Sequence, residues 1–403
     1  MKRLISLICI GAVLMLSLSS FVGCTKKDDQ PTPNYTIMGE LSAPDILGRD
    51  ISLSISDATT LCTMLGIDAN LSYDSFNLSY GNGEDKLSLS LGSGAYLYSI
   101  RTDLGTAYVN DNGNESECDA SSLADSALLG YTCATMSAIY SVAENEAMWW
   151  EALSQTVTPQ KTQVPEGIKL EYALTPDTAG AILSTLVEKG AVSSELVAGI
   201  TENTESQSAS EALRFLSFSS ALRLTLDNTT NAPLIIDMTA KYGASVFSLV
   251  YDAVSHDIDI SIKTGLDDSR EDKFSIKLMH TSKTELVLSS EVYTSSERGM
   301  YQRGEELRIV EDDSSYYLSY SDTYPDGTQA KQALKLTDRT NATTLSYEMS
   351  VGADSKKVTF ALDKKASDTE TDTVTYTALT AEIDEKTFDV SSLDLTLTMK
   401  TSD

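Results

Sequence analysis

The chain has 403 residues, 59 of them acidic and 30 basic, giving a formal net charge of -29. Nucleic acid needs a basic stripe and is repelled by this balance. With 41% hydrophobic and 22% charged residues, the composition is globular rather than disordered. The length suffices for two or three domains and a sizeable core.

Lys2 and Arg3 precede an apolar run from Leu4 to Leu18, interrupted by Ser6, Gly11 and Ser17 and followed by Ser19 and Ser20. This order reads as a secretory signal, too short for a permanent span. Phe21-Val22-Gly23-Cys24 then resembles the lipobox of bacterial lipoproteins, with Phe21 where that family usually has Leu. The resemblance implies cleavage after Gly23, a diacylglyceryl group on the Cys24 sulfur and a mature chain starting at Cys24. It places the protein in the cell envelope, anchored on the extracytoplasmic side of the cell membrane or outer membrane. Each methylene entering a bilayer contributes about 0.8 kcal/mol, so two acyl chains hold where one does not. Thr25-Lys26-Lys27-Asp28-Asp29-Gln30, extended through Pro31 and Pro33, reads as a charged tether. It also resembles the surface-export signal of Bacteroidetes lipoproteins.

Loss of the leader removes Lys2 and Arg3 and no acid, leaving two fewer than 30 basic residues against 59 acidic ones. Such a surface repels anionic headgroups, so the lipid has to do the holding. Of five cysteines, Cys9 leaves with the leader and Cys24 is acylated. Cys62, Cys118 and Cys133 remain, an odd set that allows one disulfide at most. Cys118 and Cys133 are nearest in sequence. A helix beginning near Ser122 carries Cys133 about 16 Å along its axis, however, against a Cα limit of roughly 7 Å for a bridge.

From Tyr35 to Asn110 apolar residues recur mostly with period two: Ile51, Leu53, Ile55; Phe76, Leu78, Tyr80; Leu87, Leu89, Leu91. Gly81-Asn82-Gly83-Glu84-Asp85 supplies a hairpin turn between the last two runs. A short helix over Asp57 to Leu65 interrupts the strands. Ser122 and Asp125 have capping-box spacing. Leu128, Tyr131, Thr135, Ile139, Val142, Trp149 and Leu153 then follow on one helical face, predicting a helix to about Ser154. Both Trp149 and Trp150 can be buried only if that helix packs on two sides. A second helix starts at Thr175-Pro176, carries Ile182, Leu183, Leu186 and Val187, and stops at Gly190. Shorter helices follow around Ser193 to Gly199 and Ala209 to Phe218.

Beyond Ser220 come roughly ten or more strands without a helix, which argues for an antiparallel meander. Leu222, Leu224, Leu226; Ile258, Ile260, Ile262; Phe274, Ile276, Leu278; Leu345, Tyr347, Met349; Val358, Phe360, Leu362; and Leu393, Leu395, Leu397, Met399 each give a strand one dry and one wet face. Pro325-Asp326-Gly327 supplies turn chemistry. The expected fold is mainly β with a central helical segment (α+β), its long meander curved around the helices as a half-barrel or barrel. The expected divisions are signal peptide 1–23, lipidated tether 24–34, strands plus helices 35–220 and meander 221–403, with 35–403 as one continuous fold the other option. In its anchor, element order and strand amphipathicity the chain looks like lipid-carrying lipoproteins of the LolA and LppX type. That likeness implies a curved sheet enclosing helices and a hydrophobic cavity.

G-x-S-x-G, a P-loop, a dinucleotide-binding glycine pattern and H-E-x-x-H are absent from the sequence. Asn110-Asp111-Asn112-Gly113-Asn114-Glu115 fails as a calcium loop, because Gly113 at its sixth position puts Tyr108 where the first carboxylate belongs. A hairpin turn is the better reading. The two histidines, His256 and His280, continue dry strand faces. A hairpin centred on Asp268 pairs Ile262 with Phe274, Ile260 with Ile276 and Ile258 with Leu278, and sets His256 opposite His280. Such a pair is either a rim metal or pH-sensitive site or, preferred here, two polar residues ending strand faces. Tyr316, Leu318 and Tyr320 share a face that stacks on sugars if exposed and is ordinary packing if not.

These features predict a non-enzymatic, lipid-anchored extracytoplasmic protein without a cofactor, holding a hydrophobic ligand. The alternative is a surface lipoprotein that binds protein or glycan through its exposed sheet face. A hydrolase built from scattered carboxylates ranks last.

Overall fold

In the computed structural model the described residues are 145–401, apart from a few turn positions, together with six earlier strands given as backbone. These are β1 (Arg49–Ile55), β2 (Phe76–Gly83), β3 (Lys86–Ser93), β4 (Tyr96–Asp103), β5 (Thr106–Asp111) and β6 (Asn114–Glu117). Helix α1 (Glu146–Thr156) follows, then β7 (Gln160–Val164), β8 (Gly167–Leu174), α2 (Pro176–Glu188), α3 (Ser194–Asn203) and α4 (Ala209–Phe215). The rest is β: β9 (Ser219–Asp227), β10 (Pro233–Tyr242), β11 (Ser245–Asp252), β12 (Asp257–Asp267), β13 (Arg270–His280), β14 (Thr284–Ser296) and β15 (Gly299–Asp312). The last seven are β16 (Ser315–Thr323), β17 (Gln329–Arg339), β18 (Ala342–Val351), β19 (Asp354–Asp368), β20 (Thr373–Ile383), β21 (Lys386–Asp389) and β22 (Thr396–Thr401). The protein is therefore mostly β, an antiparallel meander with few helices. Among the described strands no pairing closes the sheet into a barrel.

Two compact units divide the chain, and each is built by its own logic. One holds residues 119–280 and 292–300; the other holds 45–118, 281–291 and 301–403.

In the first unit β7 to β13 pair in sequence order. The dry face follows from alternation: Tyr172, Leu222, Met238, Leu249, Ile260 and Ile276 lie in one cross-strand row, and all are buried. Between β8 and β9 the chain leaves the sheet for α2, α3 and α4, yet Leu170 still pairs with Leu224.

Helix α2 begins as its sequence predicts. The Thr175 hydroxyl accepts from the Thr178 amide at 3.3 Å, and the Thr175 amide donates to the Thr178 hydroxyl at 2.9 Å. This is a capping box with Thr178 in the place of Glu or Gln. At its end Gly190 turns left-handed at φ 75, the Ala191 amide reaches Leu186 O at 2.9 Å and the Gly190 amide reaches Val187 O at 3.0 Å, the two bonds of a Schellman motif. Helices α3 and α4 stop in the same way, with Glu205 and Ser217 at φ 53 in the glycine position. Gly180 lets α2 approach α4, since a Cβ there lies 2.1 Å from the Ser210 hydroxyl. The helix expected to run from Ser122 to about Ser154 is not continuous: α1 starts at Glu146 behind Asn145 as its N-cap, at φ -114 and ψ 16, and ends two residues beyond Ser154. Trp149 is 1% exposed and Trp150 3%, and the Trp150 ring meets Tyr172 edge-on at 6.5 Å, so α1 packs on the dry face of β8.

In the second unit two meanders meet. β1 to β6 pair consecutively, β15 to β20 do the same, and β22 lies between β1 and β20. Leu397 thereby stands opposite both Leu53 and Tyr376. The core comprises residues such as Tyr316, Leu336, Leu345, Phe360 and Leu397.

Two turns sharpen the expectations. Pairing of β2 with β3 runs on to Gly83 opposite Lys86, so Asn82 and Gly83 lie in the ladder rather than the turn. Alternation fixes only which face each residue takes, and registers two residues apart satisfy it equally. In β5 and β6, by contrast, Asp111 pairs with Asn114, as a hairpin around Asn112-Gly113 requires. The proposed helix Asp57 to Leu65 and the segment from Ser122 to Glu144 lie outside the described residues, as do Cys62, Cys118 and Cys133.

Candidate functional site

The wet face of the first unit is organised in rows that run across its strands. One row is Glu171, Arg223, Asp237, Val250, Asp259 and Lys277 on β8 to β13. Arg223 bridges its neighbours, with Nε 3.5 Å from Glu171 and Nη1 3.3 Å from Asp237, and Lys277 lies 3.6 Å from Asp259. Being partly exposed, such pairs add little stability, at most about 1 kcal/mol each.

The adjacent row is short and hydroxylic: Ala173, Ala221, Thr239, Ser248, Ser261 and Ser275. Ser248 and Ser261 hydroxyls are 2.6 Å apart. A third row is Ser219, Lys241, Val246, Lys263 and Lys273 on β9 to β13. All three lysines are exposed. Lys263 and Lys273 stand directly opposite each other, and Lys263 is held by Glu271 at 2.7 Å.

The β12–β13 register is the one expected, with Ile258 opposite Leu278 and Ile262 opposite Phe274. His256, however, is not the next residue of that ladder. It lies in the turn between β11 and β12 at φ 60, exposed, and its Nδ1 is 3.2 Å from the Tyr251 hydroxyl. The turn reverses the chain before the strand's alternation can reach it, so the pairing with His280 that the sequence suggested does not follow from the hairpin. The His280 side chain lies outside the described residues. No group of three metal-ligating side chains occurs among the described residues.

On the tyrosine face, Tyr316 follows the packing alternative and not the sugar-stacking one. Tyr316 is 8% exposed and belongs to the second unit's core, packed with Leu336 and Leu345 rather than open to a sugar. The Tyr320 side chain is outside the described residues. On the opposite face of β16, Lys331 lies over the Tyr317 ring at 5.6 Å from its centroid, a cation–π contact.

Buried charge concentrates where strands leave their dry cores. Arg270 grips Asp272 through Nε at 3.1 Å and Nη2 at 3.2 Å, beside Thr264, whose hydroxyl donates to Asp272 O at 3.2 Å. In the second unit Glu285 is 5% exposed and pairs with Arg308 and, at 3.2 Å, with Lys283. Each carboxylate is matched by a fork or by two cations, as buried charge demands.

Gly23 and Cys24 lie outside the described residues. Among those described, no helix is long and apolar enough to cross a membrane. The polar rows escaped the sequence analysis, although the same period-two alternation that marks the dry face marks them once registers are known. No family model, curated protein or solved structure matches the chain.

Proposed function

We propose that this chain is the body of a non-enzymatic lipoprotein, held to a membrane through diacylglyceryl on Cys24, that binds protein or glycan through an exposed sheet face. The observation that carries the binding reading is the contrast between the two faces of the first unit. Leu222, Leu226, Ile236, Met238, Ala240 and Leu249 on the dry face have no accessible surface at all. A void large enough for water beside them would expose them to it, so they border packed protein. The wet face offers ordered charge and hydroxyl rows over six strands.

The hydrophobic-ligand reading, in which the meander curves around the helices as a half-barrel with a cavity, draws on the one-sided strands and on α1 lying against β8. It ranks second because those dry side chains are filled in. A photo-crosslinker at Thr239, on the wet face, should capture a partner in cells, whereas one at the Asp326 turn should not. Mass spectrometry of natively purified, solvent-extracted protein should show acyl groups retained on the first mature residue, and the extract should hold no stoichiometric lipid. A co-purifying lipid at one per chain would promote the carrier reading in its place. Cys24→Ala should shift the protein from the membrane fraction to the soluble one.

A further inference from the structure

We infer that the wet face of the first unit docks on the same face of a second copy of this chain, about a two-fold axis that runs along the hydroxyl row. The inference rests on the outer-face binding proposed above and names its partner.

The axis crosses each strand at its hydroxyl residue, so residues at equal steps on either side of that crossing meet their opposite number in the second copy. Thr239, Ser248 and Ser261 then meet themselves. On β10 Lys241 meets Asp237 of the second copy, on β11 Val246 meets Val250, and on β12 Lys263 meets Asp259. Each of these contacts occurs twice, as the symmetry requires. Side-chain size matches too. Stacked sheets lie about 10 Å apart, a gap filled by a long lysine over a short aspartate, by valine over valine and by hydroxyl over hydroxyl. Val250, 43% exposed in the middle of a charged row, thereby gains an apolar cover. On β13 Lys273 is set against Lys277, but the strands of stacked sheets cross at about 30°, so the match is made at the central strands and relaxes at the outer ones.

Charge favours the same partner. The rows hold Arg223, Lys241, Lys263, Lys273 and Lys277 against Glu171, Asp237 and Asp259, in a chain with 59 acids and 30 bases. Two such acidic bodies repel, and their approach is least opposed where the local balance is reversed. No charge has to be unmatched beforehand, since Asp237 already holds Arg223, Asp259 holds Lys277 and Lys263 holds Glu271. Matched charges are cheaper to bury than lone ones, and docking joins these pairs into networks. The area suffices as well. Six strands about 4.8 Å apart, with about 3.4 Å of rise per residue along each, offer on the order of 700 Å², near the roughly 800 Å² that each partner of a stable complex buries. A glycan or an unrelated protein gives no reason for complementary pairs to recur on β10, β11 and β12 about one line.

The test uses the mature chain with Cys24→Ala, so that lipid micelles do not mimic association, in sedimentation equilibrium. A dimer in exchange with monomer should be seen. Val250→Lys should weaken it by about tenfold or more, while leaving the urea midpoint of the dilute monomer unchanged because Val250 is exposed there. Lys241→Glu, which opposes Asp237 of the second copy, should weaken it by a similar factor. A photo-crosslinker at Thr239 should give a species of twice the chain mass, joined to β10 of the second copy or the strands beside it. A monomer at the highest soluble concentration overturns the inference, as does a dimer that both variants leave intact or a crosslink to any other element. If the purified chain is monomeric and the crosslinker captures a different protein or a glycan in cells, the second copy is wrong and outer-face binding stands. If it captures nothing in cells, both readings fall.

Discussion

Ser217 and Glu205 both hold φ 53, where a Cβ crowds the following carbonyl. Each occupies the glycine position of a Schellman motif, so Ser217→Gly should stabilise the first unit by about 1 kcal/mol, read as a higher urea midpoint. The same physics applies at Asp384 and Glu385, at φ 48 and 62 between β20 and β21. Two consecutive positive angles define the hairpin turn that favours Asn-Gly, and Glu385→Gly should therefore stabilise the second unit. Turn carboxylates add a dependence on pH. Asp227 receives the Thr229 and Thr230 amides at 2.8 Å each, and these bonds hold its carboxyl below the ordinary aspartate value of 3.8. Asp312, Asp326 and Asp389 are lowered by similar bonds from Ser314, Thr328 and Ser391. A depressed carboxyl stabilises the fold above its unfolded value, and that stability is lost as pH falls through the folded one. Amide exchange at Thr229 and Thr230, corrected for intrinsic rates, should therefore accelerate below pH 3.8. In Asp227→Ala it should be fast throughout. At the alkaline end burial pushes Tyr172 up to about 12, so its contribution is complete below the unfolded value of about 10 and disappears as pH rises toward the folded one.

Helix α2 illustrates what sequence can specify. Thr175-Pro176 and Gly190 bracket it, and its apolar spacing selects Ile182, Leu183 and Leu186 for burial, because caps and helical period are local properties. The close approach of α4 is not local. Gly180 reads as a weak point in the helix, yet its missing Cβ is what admits Ser210. Gly180→Ala should thus destabilise by about 2 kcal/mol through overpacking, despite alanine's better helix propensity, with the loss visible in thermal unfolding. Strands divide the same way. Period two marked β9, β12, β13, β18 and β19, and symmetry about Asp268 even supplied the β12–β13 register. It left Tyr316 open between packing and sugar contact, because two faces look alike in sequence until something covers one of them, and the core settles it as packing. It misjudged His256 because a turn residue at φ 60 no longer obeys the alternation of its strand. The lysine row of the candidate site needed four registers at once.

The pairing of β22 with β1 and β20 is the least legible feature, since nothing near Ile51 points to Met399. It joins the N-terminal and C-terminal meanders of the second unit into one sheet. Removing β22 should deprotect amides in both β1 and β20 while leaving β9 to β12 protected, as hydrogen exchange on the two forms would resolve. The body's acidity acts on everything at once. With 59 acids in 403 residues, self-repulsion opposes compaction, so moderate salt should raise the unfolding midpoint by screening it.

Placing β22 between β1 and β20 also orders events in time. A chain made from its N-terminus delivers β1 early, and Met399, which pairs with Ile51, arrives only after nearly all the intervening sequence. Until then β1 presents an unmatched ladder of amides and carbonyls on one flank, open to clumping with a neighbour. Assembly of the second unit is thus tied to the end of synthesis, and a prematurely terminated product should be degraded rather than accumulate folded.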